Sequence, residues 1–214
     1  KLTTSCCPAF VNMIKKHFPT LLGNMSTTVS PMCAVSRLLK AIDPETVTVF
    51  IGPCIAKKSE ALDLNVKGNA DYVLNLEEVN AMMKAKGVEL EPEPNEYQEG
   101  SVFGKRFGNG GGVTNAVLEC MQEAGESTDG IKVAKCNGAV ECKKALLMLR
   151  VGKLPEDFVE GMACVGGCVG GPSKRKAENE FKKDRDALIG QADGRKVREN
   201  LKNYPMDQFS MHRH

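Results

Sequence analysis

The chain has 214 residues, of which 42% are hydrophobic and 26% charged, as expected for a globular protein with a substantial core. A formal net charge of +2, without a basic stripe that carries interleaved aromatics, argues against nucleic acid as a partner. No apolar run approaches the ~20 residues of a membrane span and no signal peptide is recognisable, so a cytoplasmic location is expected.

The first part of the chain is predicted to alternate helices with strands. Apolar residues at helical spacing predict helices from Pro8 to Phe18 and, with Ser30 as N-cap, from Pro31 to about Ala41. The β-branched run VTVFI at 47–51 predicts a buried strand of a parallel sheet. A second strand is expected at 71–75, followed by a helix over 76–86.

The second part continues this alternation and ends in a region of different character. An acidic loop is expected at 89–101, followed by a glycine run that leads into a helix to about Ala124. After this helix we expect a strand at 131–135, a helix at 140–151 and a strand at 158–163. From Ser173 onward charges of both signs dominate, so residues 173–214 are predicted to form a charged helical extension of a domain over 1–172. The predicted fold class is α/β, with a mostly parallel sheet of βαβ units flanked by helices.

Cysteine usage indicates metal or redox chemistry. Nine cysteines, an odd number, two of them adjacent, fit a secreted disulfide framework poorly in a chain of this size. Cys33 and Cys120 lie within apolar helical patterns and are expected to be small core residues. Cys54 and Cys164 follow predicted strands, and sites in parallel sheets form beyond such carboxyl ends.

The first motif is Thr4-Ser5-Cys6-Cys7-Pro8, directly before a predicted helix. A helix N-terminus stabilises a thiolate through its dipole and free N–H groups. Neighbouring cysteines rarely bind the same iron, so one is expected to be a ligand while the other has another role. A buried pair or a vicinal disulfide is the alternative.

The second motif, GPCIAKKSE at 52–60, places Cys54, Lys57 and Glu60 at three-residue spacing on one side of a helical turn. Lys57 is expected to donate to an anionic ligand or sulfide, with Glu60 orienting it. The alternative is an exposed salt bridge.

The third motif, EGMACVGGCVGGP at 160–172, places Cys164 and Cys168 four residues apart among glycines. Such glycines let backbone N–H groups approach cluster sulfurs closely. A zinc site is the alternative, although the other two thiols would then lie far upstream. The run at 108–112 lacks the lysine and hydroxyl of a phosphate loop and is expected to pack against a cofactor. The histidines His17, His212 and His214 are assigned no ligand role.

Together, TSCCPAF at 4–10, GPCIAKKSE at 52–60, FGNGGGV at 107–113 and EGMACVGGCVGG at 160–171 resemble the catalytic H-cluster domain of [FeFe]-hydrogenases. The resemblance covers residues 4–172 and implies a cofactor made of a [4Fe–4S] cluster joined to a di-iron unit with CO, cyanide and a dithiolate bridge. It implies the cluster ligands Cys7, Cys54, Cys164 and Cys168, with Cys168 as the bridge to the di-iron unit.

The same resemblance implies roles for five further residues. Cys6 would be the proton-relaying thiol, provided that its site lowers the thiol pKa somewhat, and Ser26 would belong to the proton path. Lys57 would donate to a cyanide, Glu60 would lie behind it, and Met162 would pack beside the di-iron unit. The implied partners are H₂ and protons, maturation proteins, and a ferredoxin-type electron donor or acceptor or upstream ferredoxin or sensor modules.

Several positions depart from the family pattern. Gly52 stands where the family usually has Met, Phe10 where it has Trp, and the glycine run at 170–171 is shortened. The acidic residues of the usual proton path would fall before Lys1, so an N-terminally truncated domain is expected. These departures resemble divergent, sensory members. Cys136 and Cys142 are unusual for the enzyme and suggest a further metal site or redox thiols.

Three functions therefore compete. The first is reversible H₂ activation or H₂ sensing. The second is a non-catalytic hydrogenase-like iron–sulfur protein that acts in iron–sulfur assembly or electron transfer. The third is a structural zinc protein.

Overall fold

The computed structural model describes residues 1–91, 100–192 and 194–213. Its main sheet has three parallel strands in the order β1 (Leu2–Thr3), β5 (Phe158–Met162) and β4 (Val133–Asn137). The central strand β5 is buried from Val159 to Met162, and its sequence is apolar or small except for the buried Glu160. Its pairing with β4 runs from Phe158 against Val133 to Met162 against Asn137.

A second, two-stranded parallel sheet pairs β2 (Val49–Ile51) with β3 (Tyr72–Leu74). The prediction that 47–51 forms a buried strand is wrong in its burial, because Val49 is 48% and Ile51 52% exposed. Side chains alternate along a strand, and only Phe50 points toward the small core formed by Met32, Ala70 and Val73. The three strand pairings β1–β5, β4–β5 and β2–β3 are parallel, and the predicted α/β class is confirmed.

Helices connect and cover the strands. They are α1 (Pro8–His17), α2 (Pro31–Ile42), α3 (Ala56–Ala61), α4 (Leu76–Lys86), α5 (Val102–Arg106), α6 (Gly112–Glu123), α7 (Ala139–Arg150), α8 (Glu178–Gly190) and α9 (Val197–Leu201), with 3₁₀ turns at Pro19–Asn24 and Cys168–Gly170. The predicted N-cap is present, since Ser30 Oγ accepts from Cys33 N. The structure adds a capping box on α4, formed by Asn75 and Glu78, that was not predicted.

The main core joins α1, α7 and β5. Its fully buried members include Phe10 and Ile14 from α1, Leu146 from α7 and Val159 from β5. Phe10 packs on the backbone of Gly161, where an added Cβ would lie 2.4 Å from the ring. Cys33 is buried as expected, whereas Cys120 is partly exposed.

Some predicted boundaries moved. Strand β4 begins two residues later than expected and extends to Asn137, because its length is set by pairing with β5 rather than by its own apolar run. The loop predicted for 89–101 lies mostly on residues 92–99, outside the described residues. In the charged region after Ser173, α8 and α9 are followed by residues 210–213, which return to residues 27–29. No helix among the described residues is long and apolar enough to cross a membrane.

Candidate metal-cluster site

Each of the three cysteine motifs places a cysteine a few residues after the end of a strand. Cys7 is the residue before α1, four positions after β1 ends, with its carbonyl accepting from Val11 N at 3.0 Å. Cys54 lies three residues after β2, and Cys164 two residues after β5. The cysteines therefore occupy the carboxyl edges of parallel strands, where α/β folds place their sites.

Glycines hold these motifs against one another. Cys168 N donates to Gly108 O at 2.7 Å, and an added Cβ on Gly167 would lie 2.2 Å from the same oxygen. Gly167 also has a φ of +82°, which other residues rarely adopt. An added Cβ on Gly171 would lie 2.5 Å from Pro53 O. The glycine run at 108–112 thus packs on the cysteine loop, and that loop packs on the Cys54 segment. The expected packing of this run against a cofactor stays a prediction.

The predicted ligand cysteines form one electrostatic group. Burial and the neighbouring Cys7, Cys54 and Cys164 together raise the pKa of Cys168 to about 11, against a lowering effect of Lys57. Burial likewise raises the pKa of Cys164, with Cys7 and Cys54 adding to the effect. Burial also raises the pKa of Cys54, while hydrogen bonds from the backbone of Lys57 and Ala56 lower it. The four thiols therefore lie near enough to interact electrostatically, and a negative charge on one disfavours a negative charge on another.

The thiol of Cys6 belongs to the same group. Burial raises its pKa to about 12, with Cys7, Cys168 and Glu160 adding to the rise and Lys57 opposing it. The expectation that the site lowers this pKa is wrong for the protein described here, because desolvation outweighs the nearby lysine. Cys6 is consequently a neutral thiol that carries its proton.

A buried ion pair lies beside the cysteines. Lys57 Nζ lies 2.7 Å from Glu60 Oε2, and both side chains are more than nine-tenths buried. The exposed salt bridge considered for this pair is therefore wrong. The Lys57 ammonium also lies 5.9 Å from the ring centroid of Phe50, whose edge fills the space beside Gly52. A larger residue at position 52 would have to displace that ring.

Sequence reasoning missed Arg213. Its guanidinium is buried, donates to Ser5 O at 2.8 Å and lies 4.0 Å from Glu60 Oε1. The sequence gives no local signal for this contact, because 208 positions separate Arg213 from Ser5.

Glu160 is a second residue whose role was missed, although it opens the third motif. It is fully buried, and its carboxylate accepts from Gly111 N at 2.8 Å, Thr114 N at 2.9 Å and Thr114 Oγ1 at 2.5 Å. These donors belong to the glycine run and the first turn of α6. Glu160 therefore fastens the glycine run to the strand that leads into Cys164.

Buried polar atoms remain without hydrogen-bond partners at this site. Among the described residues they are Glu60 Oε1, Ser173 Oγ and Arg213 Nε. Ser173 lies next to the Cys54 segment, since its backbone N donates to Pro53 O at 3.1 Å. Native proteins rarely leave such atoms unsatisfied, so these atoms favour a polar ligand beside them.

The remaining predicted site residues occupy distinct places. Met162 is buried at the end of β5. Ser26 Oγ donates to Thr28 Oγ1 at 3.1 Å, and Thr28 O in turn accepts from Ser5 Oγ at 2.5 Å, so Ser26 connects indirectly to the segment that carries Cys6. Their proposed roles stay predictions.

The extra cysteines form a buried pair inside the main core. Cys136 and Cys142 pack together there with partly buried Cys7 beside them, and a shared hydrogen bond and burial raise the pKa of Cys142. Of the histidines, His212 contacts Thr27 Oγ1 at 2.7 Å, and His214 lies outside the described residues. Within the described ranges, no three His, Cys, Asp or Glu side chains are grouped closely enough to hold one metal ion.

Comparison with known families gives one match over most of the chain. Residues 1–172 match the model described as iron only hydrogenase large subunit, C-terminal domain. The chain is 32% identical over 211 residues to the periplasmic [Fe] hydrogenase large subunit of Nitratidesulfovibrio vulgaris, covering 78% of this chain and 50% of that protein. It is 25% identical over 231 residues to the cytosolic Fe-S cluster assembly factor narfl of Xenopus tropicalis, covering 86% and 48%. The chain thus spans about half the length of these relatives.

Solved structures share the fold. An [FeFe]-hydrogenase HydA1 from Chlamydomonas reinhardtii superposes with a TM-score of 0.66 at 22% identity, over 94% of this chain and 69% of that one. The structure described as revealing stepwise [FeFe]-hydrogenase H-cluster assembly gives the same TM-score at 24% identity, with the same coverage.

Proposed function

Because the chain belongs to the family of the iron-only hydrogenase large subunit, C-terminal domain, we propose that its cysteines hold an H-cluster that activates or senses H₂. The ligands would be Cys7, Cys54, Cys164 and Cys168, with Cys168 joining a [4Fe–4S] cluster to a di-iron unit that carries CO, cyanide and a dithiolate bridge. The observation that supports this proposal is the grouping of these four cysteines with a fifth thiol, Cys6, that a plain electron-transfer cluster does not require.

The donor set fits an anionic cluster. Lys57 and Arg213 bring two positive charges against the single negative charge of Glu60, all three buried. Buried positive charges such as those of Lys57 and Arg213 favour an anion bound beside them. The unpartnered Ser173 Oγ and Arg213 Nε add donors that cluster sulfurs and cyanides accept.

The protein's own residues would handle protons and hold charge. When bound, the cofactor supplies the redox chemistry that converts H₂ into two protons and two electrons. Cys6 Sγ would hold a proton at the site and pass it outward, in the direction of Ser26. Lys57 would donate from a position fixed by Glu60, and Met162 would exclude water from one side.

Infrared spectroscopy on the anaerobically matured, full-length protein tests the proposal. Bands of iron-bound CO and cyanide are expected, and their absence from properly matured protein would refute the H-cluster. Cys6→Ser is expected to slow H₂ turnover by about 100-fold or more while iron content stays unchanged. Cys120→Ser, in the second half of α6, is the matched control. If Cys6→Ser were as active as the control, the relay assignment would be wrong.

A second candidate is a non-catalytic role in iron–sulfur assembly or electron transfer. It is favoured by the similarity to assembly factors from several animals and yeasts. This function would keep the four cysteine ligands without a di-iron unit. About four iron atoms per chain and no CO bands would support it.

Partners and location follow from the same proposal. A ferredoxin-type donor or acceptor, or upstream ferredoxin or sensor modules, would exchange electrons, and maturation proteins would install the di-iron unit. We propose a cytoplasmic location, although one relative is described as periplasmic.

A further inference from the structure

The end of the chain is tied to the segment that precedes α2. Arg213 N donates to Thr27 O and Val29 N donates to Met211 O, each at 2.8 Å. Arg37 on α2 also donates to the carbonyls of Ser210 and His212. These contacts fix the backbone of residues 210–213 and so determine where the Arg213 side chain goes.

The Arg213 side chain contacts the first motif at Ser5, the residue before Cys6. It is 7% exposed, and its Nη2 donates to Ser5 O at 2.8 Å. Ser5 precedes Cys6 and Cys7, so this hydrogen bond restrains the peptide from which both thiols project. A charge-assisted bond of this kind contributes more than a neutral one.

The same guanidinium changes the charge balance around Lys57. Lys57 and Glu60 alone would form a neutral pair, in which the carboxylate weakens the field of the ammonium. Arg213 lies 4.0 Å from the other carboxylate oxygen, Glu60 Oε1, which accepts no hydrogen bond from the described residues. Glu60 therefore faces two cations, and the buried group of three carries a net positive charge.

We propose that Arg213 is a positioning residue of the cluster site. Its charge offsets Glu60 so that Lys57 keeps a positive field toward the cysteines, and its hydrogen bond to Ser5 holds the Cys6–Cys7 peptide in place. The charge part of this inference rests on the proposed cluster, whereas the peptide-holding part concerns the protein alone. Residues 210–213 would then belong to the part of the chain that holds the site in place.

Two variants separate the charge of Arg213 from its hydrogen bond. Arg213→Gln removes the charge, and Arg213→Lys keeps it without the planar two-armed group. Arg198→Gln, on the exposed side of α9, removes one charge far from the site as the control. The measurements are the midpoint potential of the reconstituted [4Fe–4S] cluster, followed by EPR, and hydrogen–deuterium exchange of the peptide that contains residues 4–7.

Arg213→Gln is expected to shift the midpoint potential to more negative values, since loss of a nearby positive charge disfavours the added electron. Arg213→Lys is expected to retain the potential, and Arg198→Gln to leave it unchanged. Both Arg213 variants are expected to exchange faster at residues 4–7, because the bond to Ser5 O is lost.

Equal potentials for Arg213→Gln and Arg198→Gln would overturn the charge role. If Arg213→Gln failed to fold, a shifted potential in folded Arg213→Lys would overturn it as well. Unchanged exchange at residues 4–7 in both Arg213 variants would overturn the peptide-holding role. If the native chain took up no cluster, the proposed function would fail, while the exchange measurement on the native and variant chains would still decide the role toward Ser5.

Discussion

Replacing Glu160 by Gln tests whether one buried carboxylate holds the glycine run onto the cysteine-bearing strand. The native carboxylate accepts three hydrogen bonds, one at Oε1 from Gly111 N and two at Oε2 from Thr114. A Gln side chain keeps one oxygen for Thr114 but turns an NH₂ group toward Gly111 N–H. One bond is lost, and a buried donor is left facing another donor.

The magnitude follows from these contacts. An unsatisfied buried donor costs about 1–3 kcal/mol. Loss of the negative charge at the N-terminus of α6 adds up to about 1 kcal/mol, and a smaller desolvation cost for the neutral amide offsets part of the sum. We therefore expect Glu160→Gln to lower the free energy of unfolding by about 2–3 kcal/mol, which leaves a domain of ordinary stability folded.

Urea denaturation of the reduced, metal-free chain measures this loss, with Glu126→Gln at an exposed position as the control. The midpoint should fall with an unchanged denaturant dependence. If Glu160→Gln were as stable as Glu126→Gln, the carboxylate would not be the fastening group that we describe.

Three further perturbations test the packing and charge of the fold. Gly167→Ala should detach the cysteine loop, because Gly167 has a φ of +82° and an added Cβ would lie 2.2 Å from the backbone oxygen of Gly108. The iron retained after anaerobic reconstitution should therefore fall severalfold. Gly161→Ala should cost about 1–3 kcal/mol in urea denaturation, since its Cβ would overlap a core ring. Asp71 has a pKa lowered to about 2, chiefly by its hydrogen bond with Lys40, so its stabilisation is present above pH ~4 and lost as pH falls toward 2. Asp71→Asn should therefore flatten the dependence of stability on pH in this window.

Each of these has a matched control. Gly152→Ala places a side chain at a φ of +69° with open space around it, so equal iron loss in both variants would trace the effect to backbone strain alone. Gly190→Ala in α8 also meets open space, and a loss as large as that of Gly161→Ala would refute the overlap. For Asp71, an unchanged slope of stability between pH 2 and 4, or the same change in exposed Asp129→Asn, would refute the assigned pairing with Lys40.

The sequence predicts those elements whose local pattern and packing agree. Helices α1, α2, α4, α6 and α7 each combine helical apolar spacing with a terminal signal, and they lie within one or two residues of the prediction. The strand VTVFI was misjudged in burial because a continuous apolar run does not tell whether a sheet is covered on both faces. Strand β1, with two residues, has no pattern of its own and exists through pairing with β5.

The site was predictable where neighbours in sequence are also neighbours in space. Lys57 and Glu60 fall on one helical face, and their ion pair follows from that spacing. Arg213 has no such signal, because its contact depends on the path of the chain after α9. The pKa of Cys6 was misjudged for a related reason: desolvation is set by everything packed around the thiol, and no local motif reports it.

The decision between a hydrogenase and an assembly factor rests on residues that do not bind iron. Four thiolates serve either function, and the buried positive charge near Lys57 compensates an anionic cluster in both. Cys6 differs, because it is not among the four proposed ligands and its thiol could hold a proton beside them. Cys6 therefore favours proton chemistry, and its substitution is the perturbation whose outcome differs between the two functions.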